Sequence, residues 1–298
     1  MMTNRRIQIG RYRLLNLLSR SRYTAVWLGE HVRLKKKVAI KILFPGEIQD
    51  IDEQHRTKRR FIREAGTLAQ FDYPYIVQVF DSGEVDGWLY FVMEYAPYGS
   101  LARRYRPGKR LPLSKVRVYT SQVGRAIHYV HVRAFIHRDI KPQNIFLKTR
   151  NMVLLGDFGL VMHIRSRYYP RMFWEFGGTS AYMAPEQRQG APCPASDQYA
   201  FATMVFEWLT GHSPFQGTDE EIAWQRRNLS PPSMRAIVPE IPAAVERVVL
   251  TGLQHMPDRR FKTTLDFTLA FEEACRHMIV RLPYDASASR WRRVFVSH

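Results

Sequence analysis

HRDIKPQN, at residues 137–144, is the stretch of this 298-residue sequence that decides its fold. It places a carboxylate, Asp139, a cation, Lys141, and a carboxamide, Asn144, close together in the chain. Phosphoryl transfer to a hydroxyl needs few protein groups: cations on the phosphates, oxygen ligands for a metal ion and a carboxylate that orients the attacking hydroxyl. The stretch supplies one group of each type, and the remaining groups are expected elsewhere in the chain.

Three further motifs supply those groups. Asp157, in Gly-Asp-Phe-Gly at 156–159, follows Asp139 by 18 residues. Lys41 ends the run Val-Ala-Ile-Lys, and Glu64 follows it by 23 residues in a segment with helical spacing of apolar side chains. In this order the motifs resemble the eukaryotic-type (Hanks-type) protein serine/threonine kinase family, and they are most similar to its bacterial members. The resemblance covers almost the whole chain.

The resemblance implies roles for the polar groups around Asp139. Asp139 would be the catalytic carboxylate, which accepts or orients the proton of the substrate hydroxyl. Asn144 and Asp157 would ligate Mg²⁺, with Mn²⁺ as an alternative. Lys141 would offset the charge on the transferred phosphoryl group. Because a lysine two residues after the aspartate is typical of the serine/threonine class, the implied reaction is transfer from ATP to Ser and Thr hydroxyls of proteins.

The resemblance also implies an ATP site in the first third of the chain. Lys41 would hold the α- and β-phosphates, with Glu64 as its partner. Met93 would be the gatekeeper side chain, and the main chain at Glu94 and Ala96 would pair with the adenine edge. The full set of implied ATP contacts is Leu18, Ser19, Val26, Ala39, Lys41, Met93, Glu94 and Ala96.

Other matching positions imply substrate binding and support of the site. Thr179 and Glu186 bracket the segment that would receive the peptide substrate. Asp197 resembles the buried aspartate that supports the catalytic loop, and Arg260 resembles the arginine that pairs with Glu186. The implied supporting residues are His137, Arg138, Phe158, Asp197 and Arg260.

The phosphate-binding loop departs from the family pattern. Where glycines are expected after Leu18, the sequence has Ser19, Ser21 and Thr24. Glycine lets backbone N–H groups approach phosphates and permits positive φ, whereas serine and threonine restrict the backbone. Two hypotheses remain open: an active kinase with a stiff loop, and a pseudokinase or weakly active signalling scaffold.

The segment between Asp157 and Glu186 departs from the pattern as well. Arg-Met-Phe at 171–173 stands where bacterial relatives place phosphorylatable threonines. We therefore expect Glu175 to supply Arg138 with a standing negative charge in place of a phosphate. The alternative phosphate acceptors in this segment are Ser166, Tyr168 and Tyr169.

Apolar periodicity predicts a two-lobed α+β fold with a small, sheet-rich first lobe. The predicted strands are 12–18, 25–32, 37–43, 75–81 and 88–94. They form a five-stranded antiparallel sheet with one main helix around 61–69, after a polar connection at 45–56. Gly83 and Gly87 are expected in the turn between the last two strands.

A larger, mostly helical lobe is predicted beyond a hinge at 95–99. Its predicted helices are 114–134, 196–210, 241–256 and 263–279. The expected domains are a nucleotide-binding lobe at 1–96 and a lobe at 97–278 with the catalytic loop, activation segment and substrate site. Residues 279–298 are expected to be a basic appendage or the start of a linker.

Composition favours a globular protein of the reducing cytoplasm. Hydrophobic residues make up 45% of the chain, which is ample for a buried core. The two cysteines, Cys193 and Cys275, lack the spacing of a disulfide framework or a zinc site. The first residues have no apolar region typical of a secretory signal, and no apolar run reaches 18 residues.

The chain is strongly basic, with 45 Lys+Arg against 27 Asp+Glu and a net charge of +18. Such an excess attracts anionic partners, which include ATP, an acidic protein or an anionic membrane surface. No recognition motif for nucleic acid accompanies the charge, so specific nucleic-acid binding is not expected. The sequence leaves the oligomeric state open.

Overall fold

The computed structural model of this protein describes residues 7–106, 108–164 and 180–276. Thr179, Glu175, the alternative phosphate acceptors and the appendage at 279–298 lie outside these residues. The described part has the predicted α+β architecture, with a sheet-rich first lobe and a mostly helical second lobe.

An antiparallel sheet with one helix forms the first lobe. Its elements are β1 (Gln8–Ile9), β2 (Tyr12–Arg20), β3 (Thr24–His31), β4 (Lys37–Leu43), α1 (Ile51–Leu68), β5 (Val79–Val85) and β6 (Trp88–Glu94). The strand order is β1-β2-β3-β4-β6-β5, so the sheet has six strands and the prediction of five was wrong. Strand β1, which pairs Ile9 with Tyr12, has only two residues and is too short to show alternation.

Helices and short strands form the second lobe. The described helices are α2 (Leu101–Arg104), α3 (Leu113–Val132), α4 (Pro185–Arg188), α5 (Pro194–Thr210), α6 (Asp219–Asn228), α7 (Met234–Ile237), α8 (Ala243–Gly252) and α9 (Thr264–Arg276). The strands are β7 (Phe135–Ile136), β8 (Ile145–Leu147), β9 (Val153–Leu155) and β10 (Met162–His163). The four predicted helices correspond to α3, α5, α8 and α9.

Helix α1 begins well before the predicted helix and takes in much of the expected polar connection at 45–56. The Asp50 carboxylate accepts a hydrogen bond of 2.7 Å from the Glu53 amide and caps the helix. Asp52 and Glu53 in the first turn also suit the positive end of the helix dipole. The capping residues, and not the spacing of apolar side chains, therefore indicate where α1 begins.

The predicted strand at 75–81 divides between two partners. Val77 donates to the carbonyl of Leu155 in β9 at 2.9 Å, and Leu155 donates to Tyr75 at 2.8 Å. The residue-by-residue register with β6 begins at Val79. Because Ile76 and Val77 are both buried, burial does not alternate here, and residues 75–77 tie the first lobe to the second.

The predicted turn at Gly83 was misplaced. Gly83 lies within β5 opposite Tyr90, where an added Cβ would come within 2.7 Å of the tyrosine hydroxyl. The turn is formed by Asp86 and Gly87, which have φ values of 51° and 77°. Gly83 is therefore a site of close packing and not of reversal.

Helix α6 was missed by the sequence analysis. Its buried residues are Ile222 and Arg226, which are too few for a clear apolar period. Thr218 and Glu221 form a reciprocal capping box at its start, and that pattern could have revealed it.

Helix α5 is the centre of the second lobe and is buried along almost its whole length. Helices α3 and α9 pack closely beside it, because Gly124 leaves space for Phe201 and Thr268. None of the helices in the described residues has the length and apolarity needed to cross a bilayer.

Candidate active site

A buried ion pair lies between the sheet and α1. Lys41 Nζ is 2.7 Å from Glu64 Oε1 and 2.8 Å from Oε2, and it is 3.8 Å from the Asp157 carboxylate. Burial alone would lower the pKa of Lys41, but attraction to Glu64 and Asp157 outweighs it and the pKa is raised. Lys41 therefore remains a cation directed at the cleft between the lobes.

Helix packing brings Glu64 to this position. Phe61 and Leu68 lie one turn on either side of Glu64 and are buried, which turns this face of α1 inward. The Phe61 ring lies 5.1 Å from Phe91 on β6, next to the strand of Lys41. These apolar contacts bring Glu64 next to Lys41, although the two residues are 23 positions apart in sequence.

The predicted catalytic residues converge on Asp139. Lys141 Nζ lies 2.9 Å from Asp139 Oδ1, and Asn144 donates hydrogen bonds of 2.8 Å to both the carbonyl and Oδ2 of Asp139. Both carboxylate oxygens are therefore held in place. Thr179, at one end of the expected peptide-binding segment, lies outside the described residues.

Asp197 on α5 organises the backbone of the catalytic loop. Its carboxylate accepts hydrogen bonds of 2.8 Å from the amides of His137 and Arg138. Burial would raise the pKa of Asp197, but the bond from His131 and nearby positive charge hold the pKa below its usual value. Arg138 has a φ of 67°, an uncommon conformation for a non-glycine residue that these bonds stabilise.

Phe158 is fully enclosed beneath the site. Its ring lies 4.6 Å from the His137 ring and 5.3 Å from Phe71. The preceding residue, Asp157, has a φ of 58° and projects its carboxylate toward Lys41. Burial opposes ionisation of Asp157, but Lys41, His137 and Lys141 lower its pKa, so this carboxylate is charged.

Strand pairing places the predicted adenine contacts on one face of the sheet. Val26 pairs with Lys41, and Ala39 pairs with Met93, so the four side chains lie on the same face. Leu18 lies in an irregularity of β2, between the pairings of Leu17 and Ser19.

The hinge after β6 is held from both lobes. The Glu94 amide donates to Gln78 at 2.8 Å, and its carboxylate lies 2.5 Å from Lys148 Nζ. Ala96 is half-buried two residues later. Ser100 accepts a hydrogen bond from the Arg103 amide and caps α2.

The turn of the phosphate-binding loop is closed by its own polar groups. The Ser21 amide donates to the Thr24 carbonyl at 2.8 Å, and the two hydroxyls lie 2.6 Å apart. No residue in 11–34 has a positive φ. The substituted loop therefore forms a hairpin without the backbone conformations that glycine would allow.

Glu186 and Arg260 form a nearly enclosed pair. Arg260 donates hydrogen bonds of 2.7 and 2.8 Å to the two oxygens of Glu186, and Ser196 donates another of 2.7 Å. Burial opposes ionisation of Glu186, but these bonds lower its pKa. The remaining Arg260 N–H groups reach the carbonyls of Gln254, Ala195 and His255.

Three residues that the sequence analysis missed also hold the site. His131 Nε2 lies 2.8 Å from Asp197, and Gln187 donates to the Arg138 carbonyl at 2.8 Å. Arg226 donates to the carbonyls of Ala181 and Met183, next to the expected peptide-binding segment. Their partners are distant in sequence, so no local motif identified them.

The oxygen groups present suit a magnesium ion. The Asn144 amide nitrogen is engaged by Asp139, which directs its oxygen away from that carboxylate, and Asp157 is ionised. Within the described part of the chain, no cluster of three or more His, Cys, Asp or Glu could form an all-protein metal site. Mg²⁺ commonly takes one or two protein oxygens and completes its octahedron with phosphate and water.

The Arg138 guanidinium is partly buried among charges of both signs. Its Nε donates to the Leu160 carbonyl at 2.6 Å. Burial, together with repulsion from Arg63 and Arg60 on α1, lowers its pKa to about 10 although Asp197 opposes this. Glu175, the predicted partner of Arg138, lies outside the described residues.

The chain is similar in sequence to a known protein family and to several curated proteins. A family model described as the protein kinase domain matches residues 12–280. The chain is 32% identical over 268 residues to serine/threonine-protein kinase PrkC of Bacillus subtilis, covering 89% of this chain and 40% of PrkC. It is 34% identical over 260 residues to DNA damage-responsive serine/threonine-protein kinase RqkA of Deinococcus radiodurans, covering 84% of this chain and 37% of RqkA. It is 31% identical over 271 residues to serine/threonine-protein kinase PknE of Mycobacterium tuberculosis, covering 90% of this chain and 46% of PknE. The chain thus spans less than half the length of these relatives.

Proposed function

Because this chain belongs to the protein kinase domain family, we propose that it transfers the γ-phosphoryl group of ATP to Ser or Thr hydroxyls of proteins. The observation that carries the proposal is the convergence of Lys141 and Asn144 on the Asp139 carboxylate. A carboxylate held at both oxygens is suited to orient a hydroxyl and receive its proton. Lys141, next to it, is suited to offset charge on the transferred phosphoryl group.

The nucleotide is assigned to the cleft face of the sheet. Lys41, held by Glu64, would bind the α- and β-phosphates, and Val26 and Ala39 would cover the adenine. Since Lys41 is already positioned by its ion pair, little reorganisation is needed when the phosphates bind.

Asp157 and Asn144 are assigned as ligands of Mg²⁺, with Mn²⁺ as an alternative. When bound at these residues, the ion would offset negative charge on the phosphates. Asp157 is suited to this role because Lys41 and Lys141 keep it ionised.

These assignments give each lobe of the chain a role. Residues 1–96 are the nucleotide-binding lobe, and residues 97–278 carry the catalytic loop, activation segment and substrate site. The partners are ATP and proteins with Ser or Thr acceptors, with attraction to an acidic partner or anionic membrane surface from the charge of +18. We place the reaction in the cytoplasm.

The direct test is transfer of labelled phosphate from ATP to a generic protein substrate. Asp139→Asn should lower the rate by about a hundred-fold or more, because the amide cannot receive the proton. Asp258→Asn, at an exposed position of the same lobe, is the matched control and should retain the rate. Equal transfer by wild type and Asp139→Asn would overturn the proposal, and mass spectrometry of the product would identify the acceptor residues.

Glu175 is assigned as the anionic partner of Arg138. Arg60 and Arg63 repel the Arg138 guanidinium, and a carboxylate at Glu175 would offset that repulsion. Glu175→Gln should lower the transfer rate, whereas Glu240→Gln, at an exposed site in the second lobe, should not. An unchanged rate in Glu175→Gln with no phosphate on residues 165–179 would contradict this role.

A second candidate is a pseudokinase or weakly active scaffold. It is favoured by one observation: the Ser21 amide is engaged by Thr24 and is not directed at a phosphate. This candidate predicts Mg·ATP binding, measured by calorimetry, without transfer to any protein.

A further inference from the structure

A groove of about 290 Å³ lies in the second lobe beside the catalytic loop. Gln143, four residues after Asp139, lines one side, and Tyr182 lines another. Arg106 and Lys109, from the connection between α2 and α3, form the outer wall. The groove therefore joins the catalytic loop to the segment assigned to the peptide substrate.

The cationic wall is fixed to the helical core. Gly108, between the two cations, donates to the Gly211 carbonyl at 2.9 Å, and Leu111 donates to Trp208 at 2.7 Å. Gly211 has a φ of 84°, and an added Cβ would lie 3.0 Å from the Gly108 carbonyl oxygen, so the two segments meet closely. Arg106 and Lys109 are thus presented on an anchored turn.

These cations have exposed side chains and are not neutralised by their neighbours. Among the residues that the structure describes, neither Arg106 nor Lys109 has an ion-pair partner. Three more exposed arginines lie nearby, Arg103 and Arg104 in α2 and Arg110 in the connection, and neither α2 nor the connection contains an acidic residue. The local field at the groove mouth is therefore positive.

Among the described residues that line the groove, the one carboxylate is already engaged. Glu207 on α5 accepts a hydrogen bond of 2.5 Å from the Tyr182 hydroxyl. Burial raises the pKa of Glu207, which disfavours its charged form. Glu207 therefore does little to cancel the charge of the outer wall or to attract a cation.

We propose that this groove binds an acidic side chain of the protein substrate, an Asp or Glu within a few residues of the acceptor hydroxyl. The inference rests on the proposed kinase function and adds the substrate class: Ser/Thr sites flanked by acidic residues. Arg106 and Lys109 are the specificity-determining residues, because both face the groove beside Gln143 of the catalytic loop.

The test uses a set of peptides with one Ser acceptor and a single Asp, Ala or Lys moved through the flanking positions. Wild type should prefer Asp over Lys at one or two positions, measured as kcat/KM. Arg106→Glu and Lys109→Glu should each reduce that preference about five-fold, since exposed charge pairs contribute modestly and reversal adds repulsion. Arg247→Glu is the matched control, because Arg247 is exposed on α8 and does not line the groove; this variant should keep the preference for Asp over Lys.

Binding provides a second readout that does not require turnover. Fluorescence anisotropy of the preferred labelled peptide, with Mg²⁺ and a non-hydrolysable ATP analogue, should show weaker binding to both groove variants and unchanged binding to Arg247→Glu. Equal kcat/KM and equal affinity for Asp and Lys peptides would overturn the inference while leaving the kinase proposal intact. Absence of transfer with charge-selective peptide binding would overturn the kinase proposal and support the groove.

Discussion

The hydroxyl oxygens of Ser21 and Thr24 lie 2.6 Å apart and close the turn between β2 and β3. The Ser21 amide adds a second bond to Thr24, so the turn is locked by both backbone and side chains. If the loop binds the phosphates of ATP, as proposed, an amide used internally is unavailable to the ligand. The substitution of glycine thus changes hydrogen bonding as well as flexibility.

Replacing these residues should improve nucleotide binding. Ser21→Gly with Thr24→Gly removes the hydroxyl contact and allows the amides to turn toward the phosphates, so KM for ATP should fall about three- to ten-fold, the net effect of one ordinary hydrogen bond. Steady-state kinetics with varied ATP measures it. The control is Ser213→Gly, in a loop of the second lobe; a KM that stays at the wild-type value in the double variant would contradict the prediction.

The Glu186–Arg260 pair should be a major contributor to stability. Glu186→Gln leaves the guanidinium of Arg260 enclosed without its carboxylate, and the free energy of unfolding should fall by about 3–5 kcal/mol. Urea denaturation monitored by tryptophan fluorescence measures the loss. Glu273→Gln breaks an exposed pair with Arg276 and should cost less than about 1 kcal/mol. Similar losses in both variants would refute this account.

Two helical glycines should respond to alanine in opposite directions. At Gly124 an added Cβ would overlap Thr268 Oγ1, which is held by a bond of 2.7 Å to Thr264, so Gly124→Ala should destabilise the protein by about 1–3 kcal/mol. At Gly66, exposed on α1, nothing lies within 4 Å, and Gly66→Ala should stabilise it by about 0.5–1 kcal/mol. Thermal unfolding of both variants gives the comparison, and a stabilising Gly124→Ala would show that α3 and α9 can separate.

Stability should fall as the pH drops below about 6.5, the pKa of histidine in an unfolded chain. Burial, only partly opposed by Asp197 and its neighbours, lowers the pKa of His137 in the folded protein. Between the folded and unfolded pKa values the unfolded state binds more protons, so unfolding becomes easier by up to about 1.4 kcal/mol per pH unit. Urea denaturation at several pH values between 5 and 8 gives the free energy of unfolding at each pH. This free energy should change less steeply with pH in His137→Phe, which keeps an aromatic ring beside Phe158. An equal pH dependence of the free energy of unfolding in wild type and His137→Phe would exclude His137 as its cause.

The main chemical groups of the site could be read from the sequence. The short motifs that contain Lys41, Asp139 and Asp157 predicted that these polar groups belong to one site, and the structure places Lys41 within 3.8 Å of Asp157. The helical lobe was also predictable, since α3 and α5 carry long apolar patterns. Short or charged elements such as β1 and α6 carried too few apolar residues to be recognised.

What only the tertiary structure decided is how those groups are held. His131, Gln187 and Arg226 act through partners that lie 43 to 66 residues away, and no local pattern encodes such contacts. The locked turn at Ser21 and the positive groove at Arg106 likewise depend on which groups packing brings together. Sequence thus determined the chemistry through residue type and spacing, whereas the folded core determined orientation, burial and charge, because these depend on neighbours in space.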